Sequence, residues 1–229
     1  MKIIADTNIP FVEQCFSSLG DVALVSGRQI SAETVTDADA LLVRSVTKVN
    51  AALLEGSSVK FVATATTGTD HIDLDYLNDK GIAFAYAPGS NANSVAEYVV
   101  AALLAAAKKH KFTIEGRSIG IVGVGNVGSR VAEKAAGLGM KVLLNDPPLQ
   151  RQTNDPKYLP LKKLFDCDFI TMHTPLTLEG QDKTYHLADK NFFEKMKPDA
   201  FFINTSRGAV HDTDTLKQAI SSETIKGAI

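Results

Sequence analysis

Short apolar runs alternate with stretches of helical periodicity along nearly the whole chain. The runs predict strands at Lys2–Ala5, Val22–Val25, Ala40–Arg44, Val59–Ala63 and Ile82–Ala85, then at Ser118–Val122, Lys141–Asn145, Phe169–Met172, Ala200–Asn204 and Lys226–Ile229. Short helices fit between them, for example over Pro10–Leu19 and Leu74–Lys80. Strands alternating with helices are the pattern of α/β folds, whose parallel sheets are covered on both faces. One helix stands apart: from Asn91 to about His110 the chain is alanine-rich and apolar on more than one side. A helix of that kind is expected to lie buried between two layers. It begins just past Pro88-Gly89-Ser90, which places a domain boundary near residue 90. Residues 1–90 then form a smaller doubly wound domain and residues 91–229 a larger one.

The most informative stretch runs from Ser118 to Pro148. The strand Ile119-Gly120-Ile121-Val122 leads into Gly123-Val124-Gly125-Asn126-Val127-Gly128. A helical pattern follows, with Val127, Val131, Ala135 and Leu138 on one side, and a second apolar run ends at Asp146. Strand, glycine turn, helix, strand and acid, with the acid eighteen residues after the third glycine, is the dinucleotide-binding order. Gly123 permits the tight turn, Gly125 lets the backbone approach a pyrophosphate, and Gly128 brings the helix close to the strand. The helix N-terminus offers N–H groups and a positive dipole end to the phosphates. Asp146 would accept from the adenosine ribose hydroxyls and repel a 2′-phosphate, which favours NAD over NADP.

Composition changes this picture little. A net charge of −2 gives no general pull toward nucleic acid or anionic membrane. Cys15 and Cys167 form neither a metal motif nor a disulfide framework, and Cys167 reads as a small core residue. The apolar part of the N-terminus is too short for a signal peptide. The longest apolar stretch, Val95 to Ala107, contains Glu97 and falls short of a membrane span. The chain reads as a cytoplasmic protein.

Several segments together resemble the D-isomer-specific 2-hydroxyacid dehydrogenases. They are Val43–Val49, Ala63–His71, Pro88–Tyr98, the glycine turn, His173-Thr174-Pro175-Leu176-Thr177 and Ile203–Val210. The segments VRSVTKVN and TATTGTDH point to a branch that serves pyridoxal phosphate biosynthesis. The resemblance implies a Rossmann-type NAD-binding domain with a smaller flavodoxin-like substrate domain. It also implies NAD as cofactor, a phosphorylated 2-hydroxy acid as substrate, no metal, and a homodimer for the full-length family member. The family's catalytic set is an arginine, a glutamate and a histidine. Arg207 matches the arginine; the other two match nothing here. The apparent strand at the last residues suggests a truncated chain, and the first domain would then be incomplete.

Residue by residue, Arg207 follows the run Phe201–Ile203, at the carboxyl end of a strand, where ligands bind in open α/β sheets. A guanidinium there could grip a carboxylate and polarise an adjacent oxygen. From position alone it could equally cap a helix or pair with Asp212. Ser206 and Gly208 flank it, and their backbone would pass the nicotinamide half of the cofactor, although Gly208 could simply belong to a loop; Thr205 is also expected to contact the cofactor. His173 also ends a strand and invites assignment as a general base. The resemblance instead gives its segment a structural role at the cofactor site, with Thr174 as the cofactor contact. Ser45 and Thr66 match the family's substrate positions, although each could be a turn residue bonding its own backbone. Gly68 could bring N–H groups to an anion, and Arg44 and Lys48 flank Ser45. Asn91 and Asn93 are expected to cap the long helix. His71, with Asp70 and Asp73, fits no zinc spacing and is assigned to a helix start.

The expected activity is NAD-dependent oxidation, at C2, of a 4-phosphorylated 2,3-dihydroxy acid, impaired in a chain lacking the glutamate and histidine. Ser45, Thr66 and Arg207 are expected to converge on that substrate. Rival readings are a dehydrogenase of another 2-hydroxy acid such as 3-phosphoglycerate, a non-enzymatic NAD sensor, and a structural fragment.

Overall fold

A computed structural model describes all residues from Met1 to Ile229. They divide into two compact units, Met1–Ser90 and Asn91–Ile229. The first unit carries strands β1 (Lys2–Asp6), β2 (Asp21–Val25), β3 (Ala40–Val43), β4 (Phe61–Thr64) and β5 (Ala83–Tyr86). Its helices are α1 (Val12–Phe16), α2 (Ala32–Val35), α3 (Ala51–Leu54) and α4 (Leu74–Asp79). The strands pair in parallel in the order β2-β1-β3-β4-β5, the flavodoxin-like winding. Alternate residues feed two cores, with Ile4, Leu41 and Val43 on one face and Ile3, Ala5 and Leu42 on the other. Helix α1 is shorter than the sequence pattern predicts, because Phe11 takes a left-handed conformation (φ 58°) and the helix starts only after it.

The second unit opens on α5 (Ala92–His110) and continues through β6 (Ser118–Val122), α6 (Asn126–Gly137), β7 (Lys141–Asn145) and α7 (Pro147–Thr153). It closes with β8 (Phe169–Met172), α8 (Lys190–Lys195), β9 (Phe201–Asn204), α9 (Thr213–Ser221) and β10 (Gly227–Ala228). The order is β10-β9-β8-β6-β7, again all parallel. Tyr158 adds a single parallel bridge to Leu144 on the far side of β7. Counting that bridge as a vestigial third strand, the winding is the 3-2-1-4-5-6 of a Rossmann unit. Period-two alternation splits the core here too. Ile119, Ile121, Phe169, Phe201 and Ile203 face α5 and α6, whereas Val122, Ile170, Met172 and Phe202 face α8 and α9.

Helix α5 differs from expectation in two respects. Ala92, Ala96, Val99, Leu103, Ala106 and Ala107 are buried, but Tyr98 and Leu104 are exposed. Its apolar surface is therefore only partly buried. Asn91 occupies the N-cap position, yet its side chain makes no capping bond. Its φ of −99° and ψ of 5° are far from the extended conformation that aims a cap side chain at the first turn. Asn93 donates instead to Glu97 Oε1 at 2.7 Å. No helix is long and apolar enough to cross a membrane. Cys167 is buried, and burial pushes its thiol up to about 11.

One polar clamp ties the amino ends of two central strands of the second unit. Asp168, just before β8, accepts from the Ser118 backbone N–H at 2.7 Å and hydroxyl at 2.8 Å, and from Lys197 Nζ at 2.7 Å. Burial alone would raise the Asp168 pKa, but the Lys197 and Ser118 donors outweigh it and hold the carboxyl down at about 2. Replacing Asp168→Asn should destabilise the unit by about 1–3 kcal/mol at neutral pH, the usual cost of stranding such donors. The native carboxyl is depressed, so its stabilisation is present above the unfolded value near ~3.9 and is lost as pH falls toward the native value. Denaturation of parent and variant followed from pH 7 down to pH 2 should therefore show the gap closing between about pH 4 and pH 2. A gap independent of pH would refute this account.

Candidate functional site

In the second unit the glycine turn follows β6 at the point where the winding reverses, which is where open α/β sheets bind ligands. Gly123 has φ +86°, and a Cβ there would lie 2.7 Å from the His173 carbonyl oxygen. Gly128 sits in the first turn of α6, and a Cβ on it would lie 2.0 Å from the Gly123 carbonyl oxygen. Around Gly125, by contrast, a Cβ would meet nothing within 4 Å, so open space lies against that backbone. Asn126 and Val127 begin α6, whose first N–H groups have no partner within the helix.

Asp146 closes the other side of this arrangement. Its Oδ2 accepts from the Val124 N–H at 2.8 Å, and its Oδ1 caps α7 through the Leu149 N–H at 3.0 Å. The acid thus splices the end of β7 to the glycine turn and keeps spare lone pairs for a hydroxyl. Gly123, Asp146 and Thr174 line a common cavity of about 420 Å³, with Pro147, Leu161 and Pro175 supplying apolar walls. The Thr174 hydroxyl is buried with no partner. An orphaned hydroxyl, an open backbone at Gly125 and an acid at the end of β7 together fit an adenine dinucleotide. The other predicted cofactor residues, Gly125, Asn126, Val127, Gly128, Thr205, Ser206 and Arg207, do not line this cavity.

Thr205, Ser206 and Arg207 form a loop beyond β9 whose organiser is Asn204. The Asn204 Oδ1 accepts from the Ser206 N–H at 3.0 Å and hydroxyl at 2.8 Å, and its Nδ2 donates to the Arg207 carbonyl at 2.9 Å. That amide also meets His211 Nδ1 at 2.9 Å. Asn204 is absent from the sequence-based candidates, although an asparagine closing an apolar run ahead of Ser-Arg-Gly is a recognisable turn signal. Arg207 is half-buried, and its Nη1 donates to the Ser206 carbonyl at 3.1 Å. Asp212, the alternative partner by sequence, accepts from Thr215 N at the start of α9 and lies 3.6 Å from His186.

His173 bridges two hydroxyls, with Nε2 3.0 Å from Thr171 Oγ1 and Nδ1 3.0 Å from Thr205 Oγ1. Burial lowers its pKa to about 4, so it is neutral at physiological pH. It ties the end of β8 to the loop that carries Arg207.

In the first unit Ser45 and Thr66 each stand two residues beyond the paired ends of neighbouring strands, Val43 on β3 and Thr64 on β4. Ser45, Arg44 and Lys48 are exposed. The Thr66 hydroxyl donates to the Gly68 carbonyl at 3.0 Å and meets Thr64 Oγ1 at 2.8 Å. That local bonding is the turn role open to it by sequence, and it also fixes where the hydroxyl sits. His71 precedes α4 and does not begin it: Asp73 is the cap, accepting from the Tyr76 N–H at 3.0 Å. The His71 ring meets Thr64 Oγ1 at 2.9 Å. No group of three or more His, Cys, Asp and Glu side chains is placed to hold a metal ion.

Residues 90–229 match the model of the D-isomer specific 2-hydroxyacid dehydrogenase NAD binding domain. The chain belongs to that family. It is 48% identical to the erythronate-4-phosphate dehydrogenase of Klebsiella pneumoniae over 97% of its own length and 59% of that relative's. It therefore spans less than two thirds of the relative it matches. Among solved structures, a D-lactate dehydrogenase from Aquifex aeolicus, complexed with NAD and lactic acid, is 28% identical with a TM-score of 0.80. That likeness covers all of this chain and 75% of the other. An acyclic imino acid reductase in complex with NADPH and D-Arg is 26% identical with a TM-score of 0.82, over the whole of this chain and 81% of the other.

The two glycines make opposite predictions. Gly125→Ala should leave thermal stability within about 0.5 kcal/mol of the parent, since its Cβ enters open space, while abolishing saturable NAD binding. Gly128→Ala should cost about 1–3 kcal/mol or more, because its Cβ strikes backbone. Calorimetry paired with NADH fluorescence titration checks both, and a destabilised Gly125→Ala with intact binding would contradict the geometry.

Proposed function

We propose that the whole protein to which these residues belong oxidises 4-phosphoerythronate at C2, using NAD, on the route to pyridoxal phosphate. What carries this reading is the cavity beside Gly123, Asp146 and the orphaned Thr174 hydroxyl, taken with the 48% identity to an erythronate-4-phosphate dehydrogenase. The first unit is read as the substrate domain and the second as the NAD-binding domain, in a cytoplasmic homodimer.

The cofactor, when bound, supplies a nicotinamide ring that accepts a hydride from C2. The chain's own residues bind and orient. The Asn204-held loop presents Arg207, whose guanidinium grips the substrate carboxylate and stabilises negative charge on the C2 oxygen. Thr205 is steadied by neutral His173, and Ser206 by Asn204, so the loop holds its shape without charge. Ser45 and Thr66 offer hydroxyls to the acid, with Arg44 and Lys48 close in sequence for a phosphate. The C2 hydroxyl proton must leave for a base. His173, with a pKa of about 4, is too weak a base for that work near neutral pH. The family's glutamate and histidine match nothing within these residues, so the purified 229-residue polypeptide is expected to bind NAD yet turn over 4-phosphoerythronate at no more than a trace rate.

Two measurements test the reading. NAD should bind more tightly than NADP, and Asp146→Ala should weaken NAD and narrow the gap. NADH formation by the short chain, beside a polypeptide extended as in the relatives, should show turnover only in the longer form. That form should prefer 4-phosphoerythronate to 3-phosphoglycerate. Tighter binding of NADP by the unmodified chain, or comparable rates for the two forms, would overturn it.

A further inference from the structure

The cavity beside Asp146 carries an ion pair that the dinucleotide motif does not include. Arg151, in the last turn of α7, and Asp182, in the loop beyond β8, both line it, and their Nη2 and Oδ2 atoms lie 2.5 Å apart. The Asp182 loop is stapled at its base. The Thr184 hydroxyl donates to the Pro175 carbonyl at 2.6 Å and accepts from the Thr177 N–H at 2.8 Å. The pair therefore joins two walls of the cavity, one built after β7 and one after β8.

The charges that line this cavity are Asp146, Arg151, Asp182 and Lys183. Lys183 is turned toward Tyr185, its Nζ 5.7 Å from the ring centroid. Asp146, which accepts from Val124 and Leu149, is an acid and offers a phosphate no cation. Arg151 is thus the cation most able to greet an extra phosphate on the adenosine ribose. It stands five residues beyond the acid, and guanidinium–phosphate pairs are among the stronger charged hydrogen bonds. Asp182 holds that guanidinium.

We propose that the Arg151–Asp182 pair is a specificity clasp: Asp182 sequesters Arg151 so that a ribose 2′-phosphate finds no free cation, reinforcing the choice of NAD over NADP. This rests on the reading of the cavity as the adenosine site of a dinucleotide. Specificity in this form is achieved against the wrong ligand as much as for the right one. The imino acid reductase, with NADPH bound to a scaffold of TM-score 0.82, shows that such a fold can carry the phosphorylated cofactor.

The test is equilibrium titration of NADH and NADPH fluorescence with the 229-residue chain and three variants: Asp182→Ala, Asp182→Asn and the double variant Asp182→Ala/Arg151→Ala. The pair is partly exposed, with side-chain exposures of 42% and 37%, so neither change should unfold the chain. In both single variants NADPH should bind at least about tenfold more tightly while NADH changes by less than about threefold, a gain typical of one freed phosphate contact. The double variant restores the parent's net charge at this rim and should lose the gain. A gain that persists in the double variant would overturn the clasp, because relief of repulsion by Asp182 would then explain it. An unchanged NADH-to-NADPH ratio in the single variants would also overturn it. In that case the parent's preference for NADH would leave the adenosine site standing. Failure of the parent to bind either cofactor would remove the adenosine site and the clasp together.

Discussion

The second unit is organised around one contact too tight for a methyl group, where the first turn of α6 lies on the Gly123 carbonyl with Gly128 at the point of closest approach. Only a residue without Cβ allows α6 to start there, and only a backbone at positive φ allows the chain to leave β6 and reach it. With that approach fixed, the amino end of α6 faces the open ground beside Gly125. The Val124 N–H is then turned outward, where the carboxylate at the end of β7 collects it. Position of helix, direction of its dipole and placement of the acid all follow from this contact. The Asp168 clamp works at the opposite end of the same strands and holds β6 and β8 in step.

Much of the fold is legible because alternation is a physical requirement of a sheet covered on both faces. Phe201, Phe202 and Ile203 must point alternately at α5 and α8, so their run reads as a strand from sequence alone. The short helices of the first unit read less well. Their length depends on single backbone conformations such as that of Phe11, which no hydrophobic pattern encodes. The bridge at Tyr158 is invisible for a related reason: a single bridged pair leaves no periodicity. The two-sided look of α5 overstates its burial, because alanine satisfies both a buried and an exposed position and so carries little information about either.

The candidate site divides along the same line. Gly123, Gly125, Gly128 and Asp146 are legible because each answers a local demand of turn, approach or strand end. Asn204 is partly legible, as a turn former. Arg151 and Asp182 are not, since their pairing joins residues thirty-one apart through loops whose courses are set by Thr184 and by the cap of α7. A charge pair across a cavity belongs to tertiary structure, and neither partner has an unusual neighbourhood in sequence.

His173 shows how far position alone can mislead. It ends a strand at the ligand-binding edge, as a catalytic base would. Its environment opposes that role: both ring nitrogens face threonine hydroxyls, and burial removes the solvent that would stabilise the cation. A neutral ring in that setting can accept at one nitrogen and donate at the other, which suits a strut between β8 and the loop of Arg207. His71 in the first unit meets the hydroxyl of Thr64, again a threonine near a strand end. In both units a histidine ring connects a strand end to the loop beyond it. The loop of Arg207 is thus anchored by a neutral strut. The strut therefore adds no charge of its own to the loop that carries the Arg207 guanidinium.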